Sequence, residues 1–571
     1  MARPVDQRWA ANLVASFDHL DPGELVRLVA DWVMGDGARP MASTPPSDCG
    51  GWDNPWLIGL VHEQAVSFDD RRQRGAWYTP QTVVRGLVRQ AFDALGSAVP
   101  SVVVDPTCGG GAFLLASLDE LVHRGVSIAD ALPRVHGADI DAGAVAASQL
   151  AIRAWAHLHG VDDFDPCQTV VLHDSLLDDD LLDDDLPGAI DLIIGNPPFA
   201  SPLKKGSIGD GALAYRAAND GVLGPYADLA TWHLHRSLTR ITPGGVVSLV
   251  LPQSTLSSRD VAPLRSFCES HAALRAAWAT SDFVFDAGVR VWAPAFVRGA
   301  EQGLVSVASG ASPVSIGDRP YESWRDIVAD ALGAPALERR YSPKTLGSLV
   351  SATAGFRDEY YGLAAACQEA GNGEPPTRLA TVGSIDPLMS WWGRRPTRFA
   401  SQHWDRPTIE RSLLDAKVAR WLDDQLVPKV LVATQTRVLE PFIDREGIVA
   451  PSTPLIAVHG DVADLSRIAA VLLAPPVTVW LYRRCFGAAL SGDAIKVSAS
   501  QLSEVPLPRD GQRWEQAAAL IDAMEIDAMD AGAPVATRSV VAAVAQLMNE
   551  AYGSSAEVLA WWFTRLGPPP T

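Results

Sequence analysis

A buried strand that runs into a glycine turn and then a helix constrains the fold of this chain more than any other feature. Ser101-Val102-Val103-Val104-Asp105 is apolar and β-branched, Pro106-Thr107-Cys108-Gly109-Gly110-Gly111 is a turn, and residues 112–121 have a helical composition. Strand, glycine turn and helix in this order form the usual cradle for a nucleotide-like ligand at the edge of a parallel sheet. The alternative is an ordinary tight connection between a strand and a helix.

The glycine turn lacks the features of the two common phosphate-binding loops. If Gly109 and Gly111 take the first two glycine positions of G-x-G-x-x-G, the third position falls on Leu114, and no Gly-Lys-Ser/Thr follows as in a P-loop. We therefore expect a cofactor without a phosphate group, such as S-adenosylmethionine.

Two further strands end in acidic residues. Gly137-Ala138-Asp139-Ile140-Asp141 ends the second strand, and Asp139 is placed to accept from ribose hydroxyls, as acids do at this position in doubly wound folds. Val170-Val171-Leu172-His173-Asp174-Ser175 ends a third strand, where Asp174 can accept from an adenine amine. Each acid alone is more often a helix cap. Because the carboxyl ends of parallel strands meet at one edge of the sheet, we expect both acids to lie there.

Asn196-Pro197-Pro198-Phe199 follows a fourth apolar strand at residues 189–195. The Asn196 side-chain oxygen and the Pro197 carbonyl can each accept an N–H, the two prolines fix φ, and Phe199 offers a flat face. Two acceptors acting on the hydrogens of an aromatic amine favour a pyramidal nitrogen, which returns the lone pair for attack and so stabilises the transition state. An ordinary strand followed by a Pro-Pro stop is the alternative.

These motifs together resemble the amino-methylating DNA methyltransferases. The run Gly75-Ala76-Trp77-Tyr78-Thr79-Pro80 precedes the glycine turn, and the segment expected to recognise the target comes last. This order is similar to that of the gamma class of adenine-N6 enzymes. The resemblance is strong over residues 55–300 and weaker to about residue 508. One departure is Phe199, where many relatives carry Tyr, so the stacking face survives and only a hydroxyl is lost.

The resemblance implies a role for each matching residue. It assigns S-adenosylmethionine binding to Tyr78, Thr79, Asp105, Pro106, Cys108, Gly109, Gly111, Asp139, Ile140 and Asp174. It assigns the target adenine to the catalytic residues Asn196, Pro197, Pro198 and Phe199. Val284-Phe285-Asp286 resembles a later element whose aromatic residue, here Phe285, stacks on the flipped base, with Phe283 as a near alternative. No metal ion is implied.

The pattern along the chain predicts an α/β protein with five segments. They are a helical N-terminal segment (1–74), a doubly wound, Rossmann-like S-adenosylmethionine-dependent methyltransferase domain (75–300), a connector (301–345), an α+β DNA target-recognition domain (346–508) and a helical C-terminal segment (509–571). Short strands with loops rich in Gly, Pro, Arg and Trp make residues 346–508 resemble the target-recognition domains of restriction–modification specificity modules.

The net charge of −20 is unevenly distributed along the chain. Residues 331–510 contain 20 Lys and Arg against 19 Asp and Glu, so the excess of acid lies elsewhere, including the two Asp-Asp-Asp runs within residues 178–185. We interpret those runs as a solvated loop, because they lack the alternating ligands of a calcium site. The candidate contacts to DNA are Lys204, Lys205, Arg394, Arg395, Arg398, Arg437, Arg483, Arg484 and Lys496. Any one of these basic side chains can equally be an ordinary surface ion-pair partner.

We expect a site-specific DNA adenine-N6 methyltransferase of a restriction–modification or phage-defence system. Its partners would be double-stranded DNA and other defence proteins, including a separately encoded nuclease. Six unpaired cysteines, no signal-like N-terminus and no apolar stretch of membrane-spanning length favour a cytoplasmic protein with no membrane partner. The alternatives are an amino methyltransferase acting on RNA or on protein glutamine, and a catalytically silent DNA-binding subunit of a defence complex. A cytosine-N4 methyltransferase is a further alternative, but enzymes of that class more often have Ser-Pro-Pro where this chain has Asn-Pro-Pro.

Overall fold

The computed structural model forms two compact units, Met1–Leu332 and Gly333–Thr571. The residues that it describes are 5–40, 44–45, 50–66, 79–177, 189–200, 208–282, 284, 289–338, 341–355, 357–371, 373, 375–485, 494–524 and 534–567.

The described part of the N-terminal segment, up to residue 66, contains three α-helices. They are α1 (Val5–Ser16), α2 (Pro22–Met34) and α3 (Trp56–Ala65). A capping box begins α2, because Asp21 Oδ1 accepts from the backbone N of Glu24 at 2.9 Å and the Glu24 carboxylate accepts from the backbone N of Asp21 at 3.1 Å. Apolar side chains of all three helices belong to the same core cluster as the sheet. The N-terminal helices are therefore packed as part of this unit.

One sheet organises the first unit. Its strands are β1 (Val103–Asp105), β2 (Val135–Asp139), β3 (Val170–Leu172), β4 (Leu192–Gly195), β5 (Val246–Leu249), β6 (Leu251–Pro252), β7 (Ala272–Ala279), β8 (Val291–Arg298), β9 (Val305–Ser309) and β10 (Val314–Arg319). The order is β10-β9-β7-β8-β5-β4-β1-β2-β3, with β6 paired to β8. Strands β3, β2, β1, β4 and β5 are parallel, whereas β8 lies antiparallel to β5 and to β7. The predicted doubly wound, Rossmann-like α/β fold is confirmed.

Helices cover the sheet of the first unit. After α3 they are α4 (Gln81–Ala94), α5 (Ala112–His123), α6 (Ile128–Ala131), α7 (Ala142–Leu158), α8 (Asp210–Ala218), α9 (Leu229–Arg240), α10 (Ala262–His271) and α11 (Trp324–Ala331). Helix α4 buries an apolar face that includes Val83, Val84 and Leu87, and packs against β4, β5, β7 and β8. Helices α2 and α3 pack against α7.

The strand order reverses between β1 and β4. The chain proceeds from β1 outward to β2 and β3, and then returns to place β4 on the other side of β1. In doubly wound sheets this reversal opens a crevice at the carboxyl ends of the two strands, and ligands bind there. Asp105 ends β1 and Asn196 directly follows β4, so the topology brings the glycine turn and the Asn-Pro-Pro-Phe motif to this crevice.

The sequence predicts that residues 301–345 form a connector, but the structure corrects this prediction, because part of the segment joins the sheet. They contain β9, β10 and α11, and β9 pairs with β7 while β10 pairs with β9. The apolar alternation of Val305, Val307 and their neighbours is short and is separated from the preceding strand by a polar turn. Only pairing with the already formed β7 edge makes this segment part of the sheet.

The described residues of the second unit form two four-stranded sheets and two hairpins. Its strands are β11 (Val350–Ala354), β12 (Cys367–Glu369), β13 (Arg378–Ala380), β14 (Ile385–Asp386), β15 (Met389–Ser390), β16 (Thr397–Phe399), β17 (Gln402–Trp404), β18 (Pro407–Ile409), β19 (Lys429–Ala433), β20 (Glu440–Asp444), β21 (Val449–Pro451) and β22 (Ile456–Gly460). The sheet orders are β11-β22-β19-β20 and β12-β18-β13-β21, and β14 pairs with β15 as β16 does with β17.

The helices of the second unit lie mainly toward the C-terminus. They are α12 (Arg357–Ala366), α13 (Ala416–Gln425), α14 (Leu465–Leu473), α15 (Pro475–Cys485), α16 (Ala499–Ser503), α17 (Gly511–Asp522), α18 (Pro534–Ala551) and α19 (Ala556–Leu566). Among the described helices, none is by itself long and apolar enough to cross a membrane; the pair Val462–Leu473 and Pro475–Cys485 meets the criteria jointly but is bent by 63°.

A buried ion pair ties together the β19–β20 hairpin. Lys429 Nζ lies 2.5 Å from Asp444 Oδ2, and both side chains are almost fully inaccessible. The Asp444 carboxylate also accepts hydrogen bonds from the backbone N of Gly447 and of Val449, so both of its oxygens have hydrogen-bond partners. Burial lowers the pKa of Lys429, and the adjacent Asp444 carboxylate opposes that shift. Removal of either partner alone would leave an uncompensated charge in the core.

Candidate functional site

Asp105 is a buried carboxyl at the end of β1. Its Oδ1 accepts a hydrogen bond from the backbone N of Thr107 at 3.0 Å, whereas Oδ2 has no hydrogen-bond partner in the part of the chain that the structure describes. Burial, with a smaller contribution from the charge of Asp139, raises the pKa of Asp105 to about 8. An unsatisfied buried acceptor is costly, and a cationic group placed against it would remove that cost.

The glycine turn after β1 is held open by Asp139. Gly109 and Gly111 have φ values of 50° and 84°, which residues with a Cβ rarely adopt. Asp139 Oδ2 accepts from the backbone N of Gly109 at 2.9 Å, and its Oδ1 accepts from the backbone N of Asp141 at 2.9 Å. Burial also raises the pKa of Asp139. The acid that the resemblance assigns to a ribose therefore has a second role in shaping the turn.

The two buried carboxyls create a site that favours positive charge. Neither Asp105 nor Asp139 forms an ion pair with a basic side chain within the described residues. The charge of Asp139 raises the cost of ionising Asp105, since like charges at short range repel. These two carboxyls therefore fit a cofactor that carries an ammonium or a sulfonium group, as S-adenosylmethionine does.

Two glycines at the crevice are packed so closely that neither position has room for a side chain. A Cβ on Gly59, in α3, would lie 2.4 Å from the carbonyl oxygen of Gly110, so the helix and the glycine turn touch backbone to backbone. A Cβ on Gly195, at the end of β4, would lie 2.4 Å from Asp105 Oδ1. The second contact places the start of the Asn-Pro-Pro-Phe motif directly beside the buried carboxyl.

The ends of β2 and β3 complete the cofactor side of the crevice. Ile140 follows Asp139 and is 72% exposed, which leaves an apolar surface at the sheet edge for a ring. Asp174 Oδ1 accepts from the backbone N of Leu176 at 3.1 Å and so forms a turn after β3. Ser175 Oγ donates to the carbonyl oxygen of Pro106 at 2.5 Å and joins the β3 end to the glycine turn.

Cys108 is a structural residue of the glycine turn. Its backbone N donates to the carbonyl of Ala138 at 2.8 Å, and Ser148 Oγ donates to the carbonyl of Gly109 at 2.7 Å. Burial raises the pKa of the Cys108 thiol well above its ordinary value. A thiol that stays protonated is a poor nucleophile, so its contribution is packing.

The Asn196 amide is bonded to Thr79. Asn196 Nδ2 donates to Thr79 Oγ1 at 3.0 Å across 117 residues of sequence. Thr79 is 4% exposed and Asn196 is half-buried. Because the amide is planar, commitment of its nitrogen to Thr79 turns its carbonyl oxygen to the other side. Two motifs that the resemblance treats separately, Tyr-Thr-Pro and Asn-Pro-Pro-Phe, are thus in direct contact.

The rest of the Asn-Pro-Pro-Phe motif is anchored by the first unit. Pro197 is buried and Pro198 is half-buried, while Phe199 is half-buried and packs on the same apolar core as Val284 and Val289. The motif leads into Ala200, whose carbonyl oxygen accepts from the backbone N of Leu229 at 2.9 Å. The loop that carries the Asn-Pro-Pro-Phe motif is therefore held at its C-terminal end by the start of α9.

Asp228 is a site residue that the sequence analysis does not select. Its side chain accepts from the backbone N of Ala230 at 3.0 Å and from the backbone of Ala200. Burial raises the pKa of Asp228 to about 7. An Asp directly before an apolar helical run predicts a helix N-cap. The contact of Asp228 with Ala200, at the end of the Asn-Pro-Pro-Phe loop, depends on tertiary structure. No sequence pattern marks Ser175 as part of the site. Gly59 has one weak sequence signal, because an isolated Gly inside a helix often marks close packing.

Several predicted site residues lie outside the described residues. These are Tyr78 of the cofactor set, Phe285 of the stacking pair, and the basic residues Lys204 and Lys205; the acidic runs within residues 178–185 also lie outside. The crevice described above therefore rests on the other predicted residues of the first unit.

The basic candidates of the second unit fall into two groups. Arg483 Nε and Nη2 donate to the carbonyls of Pro335 and Ala334 at 3.1 and 3.0 Å, so this side chain supports the local backbone. Arg395 stacks on Trp391 with its Cζ 4.4 Å from the ring centroid and lies 3.7 Å from Asp386. The exposed members are Arg394, Arg398, Arg437, Arg484 and Lys496, of which Arg484 stacks on Trp480 at 3.9 Å.

Arg398 occupies a prominent place on the β16–β17 hairpin. It lies opposite His403 across the hairpin, and both are exposed. Ala400 and Ser401 have φ values of 51° and 63°, the left-handed pair that a tight two-residue hairpin turn requires.

The described residues contain no group of three or more His, Cys, Asp or Glu side chains arranged for a metal ion.

Residues 59–263 match the family described as N-6 DNA Methylase. This range contains the glycine turn, the acids after β2 and β3, and the Asn-Pro-Pro-Phe motif. No protein with curated annotation matches the chain in sequence. The family match therefore stands on the segment that forms the crevice.

Several solved structures are similar to the chain in fold. The type IIL restriction–modification enzyme MmeI, solved in complex with DNA, is 14% identical, and the match covers 90% of this chain and 81% of that one with a TM-score of 0.59. The type IIG restriction endonuclease BpuSI is 12% identical over 96% of this chain and 77% of its own, with a TM-score of 0.44. A type I methyltransferase subunit from Streptococcus thermophilus is 19% identical over 45% and 52%, with a TM-score of 0.31.

Proposed function

We propose that this chain is an adenine-specific DNA methyltransferase that methylates adenine at a specific duplex sequence with S-adenosylmethionine as the methyl donor; the match of residues 59–263 to the N-6 DNA Methylase family supports this activity. The observation that carries the proposal is the contact of Gly195 with Asp105. This contact supports the proposal because Asn196 and Pro197, the proposed acceptors for the amine, follow Gly195 and so lie near Asp105, a buried carboxyl suited to a cationic cofactor.

The cofactor side of the crevice supports S-adenosylmethionine. Asp105 would hold the positively charged methionine end, Asp139 the ribose, and Ile140 with Asp174 the adenine. When bound, S-adenosylmethionine supplies a methyl group activated by its sulfonium. The absence of a phosphate-binding loop in this turn agrees with a cofactor that has no phosphate.

The acceptor side supports attack by an exocyclic amine. Asn196 Oδ1 and the Pro197 carbonyl would each accept one hydrogen of the adenine N6, and the ring would lie against Phe199. These two acceptors stabilise a pyramidal nitrogen more than a planar one, so their effect is larger in the transition state. The amine proton leaves to water late in the step.

Adenine must leave the duplex before it reaches this crevice. Extrusion costs a few kcal/mol of unstacking and unpairing. We propose that the second unit reads the duplex through exposed basic side chains, among them Arg394 and Arg398, and that the modification serves a restriction–modification or phage-defence system with a separately encoded nuclease. The fold similarity to MmeI, whose structure was solved with DNA, supports a DNA partner.

Substitution of Asn196 tests the proposed chemistry. The full chain is incubated with tritiated-methyl S-adenosylmethionine and unmethylated plasmid DNA. Asn196→Ala is expected to lower transfer by at least about 100-fold, the usual effect of removing one polar group that stabilises a transition state. Affinity for S-adenosylhomocysteine, measured by calorimetry, should be retained because Asn196 is on the acceptor side.

Asn219→Ala is the matched control, since this half-buried amide donates to the carbonyl of Tyr215 within one helix. It should leave transfer unchanged. Retention of transfer in Asn196→Ala would refute the mechanism. Recovery of the label in cytosine after digestion to nucleosides, or on ribosomal RNA or release factors in preference to DNA, would refute the proposed substrate.

A further inference from the structure

Thr79 is the side chain that touches the Asn196 amide. The resemblance assigns it to the methionine end of S-adenosylmethionine, yet its Oγ1 is the acceptor for Asn196 Nδ2 at 3.0 Å. Thr79 is 4% exposed, so water does not compete freely for this hydrogen bond. The contact therefore joins a residue expected on the cofactor side to the residue expected to hold the target.

Both partners are carried by rigid elements. Thr79 lies two residues before α4, whose first turn is closed by hydrogen bonds from the backbone N of Val83 and Val84 to the carbonyl of Pro80 at 2.9 and 3.0 Å. Helix α4 packs its apolar face on β4 and β5. Asn196 follows β4, whose residues are all buried. The distance between the two side chains is thus set by packed secondary structure on both sides.

The orientation of the Asn196 amide decides whether it can act on an amine. An Asn side chain presents an acceptor on one edge and two N–H donors on the other, and a rotation of about 180° exchanges them. With the donors turned toward a target amine, two N–H groups would face each other and the amine lone pair would gain nothing. With the oxygen turned toward it, the amide accepts the N–H. In the structure Thr79 Oγ1 accepts from Asn196 Nδ2, and this hydrogen bond holds the amide in the second orientation.

We propose that Thr79 is a positioning residue of the methyl-transfer step, which fixes the Asn196 amide with its oxygen toward the target adenine. The inference rests on the proposed function and assigns to Thr79 a role in kcat that differs from cofactor binding. A residue that only binds the cofactor would act on the affinity for S-adenosylmethionine, and its loss would be overcome at saturating cofactor.

The test compares Thr79→Val, which removes the hydroxyl at nearly constant shape, with Thr79→Ser, which keeps it. The substrate is a duplex that carries the methylated sequence identified by modification-sensitive sequencing. Thr79→Val is expected to lower kcat about 10- to 100-fold at saturating S-adenosylmethionine, the scale of a misplaced catalytic group. The KM for S-adenosylmethionine and the affinity for S-adenosylhomocysteine should be unchanged, and Thr79→Ser should restore kcat.

Thr242→Val is the matched control. Thr242 Oγ1 donates to the carbonyl of Ile190 at 2.7 Å near the opposite end of β4, so this variant loses a similar hydrogen bond in the same unit. It should keep kcat, and thermal unfolding should show whether both Val variants are folded.

Two results would overturn the inference while leaving the proposed function in place. One is a raised KM for S-adenosylmethionine with unchanged kcat in Thr79→Val, which assigns Thr79 to the cofactor. The other is an equal loss of kcat in Thr79→Ser and Thr79→Val, which assigns the effect to packing. Failure of the proposed function itself is seen separately, as methyl transfer that survives Asn196→Ala.

Discussion

Asp105 is the buried carboxyl through which we expect cofactor binding to depend on pH. Its pKa of about 8 means that most Asp105 side chains carry a proton at pH 7 in the protein without ligand. A cation placed beside Oδ2 favours the carboxylate and lowers that pKa. Binding must therefore release a proton at neutral pH. The same shift opposes folding, because the stability contributed by this group is present below the ordinary pKa of 3.8 and is lost as the pH rises through 8.

We predict that S-adenosylmethionine binding to the full chain releases close to one proton at pH 7 and almost none above pH 9. The apparent affinity should rise by up to about tenfold per pH unit between pH 6 and 8, since one proton is coupled to one ligand. Calorimetry in buffers of different ionisation enthalpy measures the released proton directly.

Asp105→Asn should abolish this proton release. Asp174→Asn is the comparison, because Asp174 lies on the adenine side and its loss should weaken binding without changing the proton count. A proton count of zero in the wild-type chain at pH 7 would contradict a cationic partner for Asp105.

At the scale of elements, the contact of α3 with the glycine turn joins the N-terminal helices to the proposed cofactor site. Gly59 and Gly110 meet backbone to backbone, so a side chain at either position would push the two elements apart. Ala is favoured over Gly inside a helix by up to about 1 kcal/mol. A Cβ only 2.4 Å from the Gly110 carbonyl outweighs that preference, since backbone atoms on both sides cannot give way locally.

We predict that Gly59→Ala displaces the glycine turn and weakens S-adenosylmethionine binding by about tenfold or more, a cost of at least about 1.4 kcal/mol. Calorimetry measures the affinity, and thermal unfolding should show a lower Tm. Gly511→Ala is the control, because Gly511 begins α17 and a Cβ there meets nothing within 4 Å. An unchanged affinity in Gly59→Ala would show that the turn is not braced by α3.

The Asn-Pro-Pro-Phe loop, which we propose to be catalytic, is held by hydrogen bonds at both ends. Thr79 holds the Asn196 side chain at the entry, and Asp228 with Leu229 holds Ala200 at the exit. Preorganisation of this kind is what a mechanism based on hydrogen-bond acceptors requires, because a group that must reorient during the reaction loses most of its effect.

At the scale of the whole molecule, the charge of −20 must be reconciled with a polyanionic partner. The near neutrality of residues 331–510 and the exposed Arg394 and Arg398 in the second unit reduce the conflict. Within the described residues neither of these two side chains makes an ion pair, so both keep their full charge for a phosphate or a base edge. Repulsion by the remaining surface would disfavour loose, non-specific association.

We predict that the double variant Arg394→Ala/Arg398→Ala weakens binding to the methylated duplex sequence by about tenfold or more, as expected when one or two base or phosphate contacts are lost. Fluorescence anisotropy at several salt concentrations measures the affinity and its salt dependence. A slope reduced by about 1 for each residue indicates phosphate contacts, whereas an unchanged slope with relaxed specificity indicates base contacts.

Arg411→Ala serves as the control for this surface, because Arg411 is exposed in the same unit but is paired with Asp423 at 2.5 Å. It should bind DNA like the wild-type chain. Equal affinity of the double variant and the wild type at low salt would exclude Arg394 and Arg398 as DNA contacts.

Much of the fold could be predicted because its signals are local. Each parallel strand is a short apolar run that ends in a turn, and the residues that define the crevice are neighbours in sequence of those strand ends. Residues 301–345 were harder to assign, because β9 and β10 become strands only through pairing with β7, and no pattern within the segment specifies that partner. The roles of Asp228, Ser175 and Gly59 depend in the same way on contacts with distant residues.

The amino-acid sequence by itself determined the strand–turn–helix alternation, the glycine turn without a phosphate motif, and the identity of Asn196 and its prolines, since all of these depend on residues adjacent in the chain. Tertiary structure alone decided that Asp105 becomes a buried acid with a raised pKa and that Thr79 bonds to Asn196. The physical reason is the strand order: β4 returns to lie beside β1, and only that long-range pairing removes water from Asp105 and brings α4 against the end of β4.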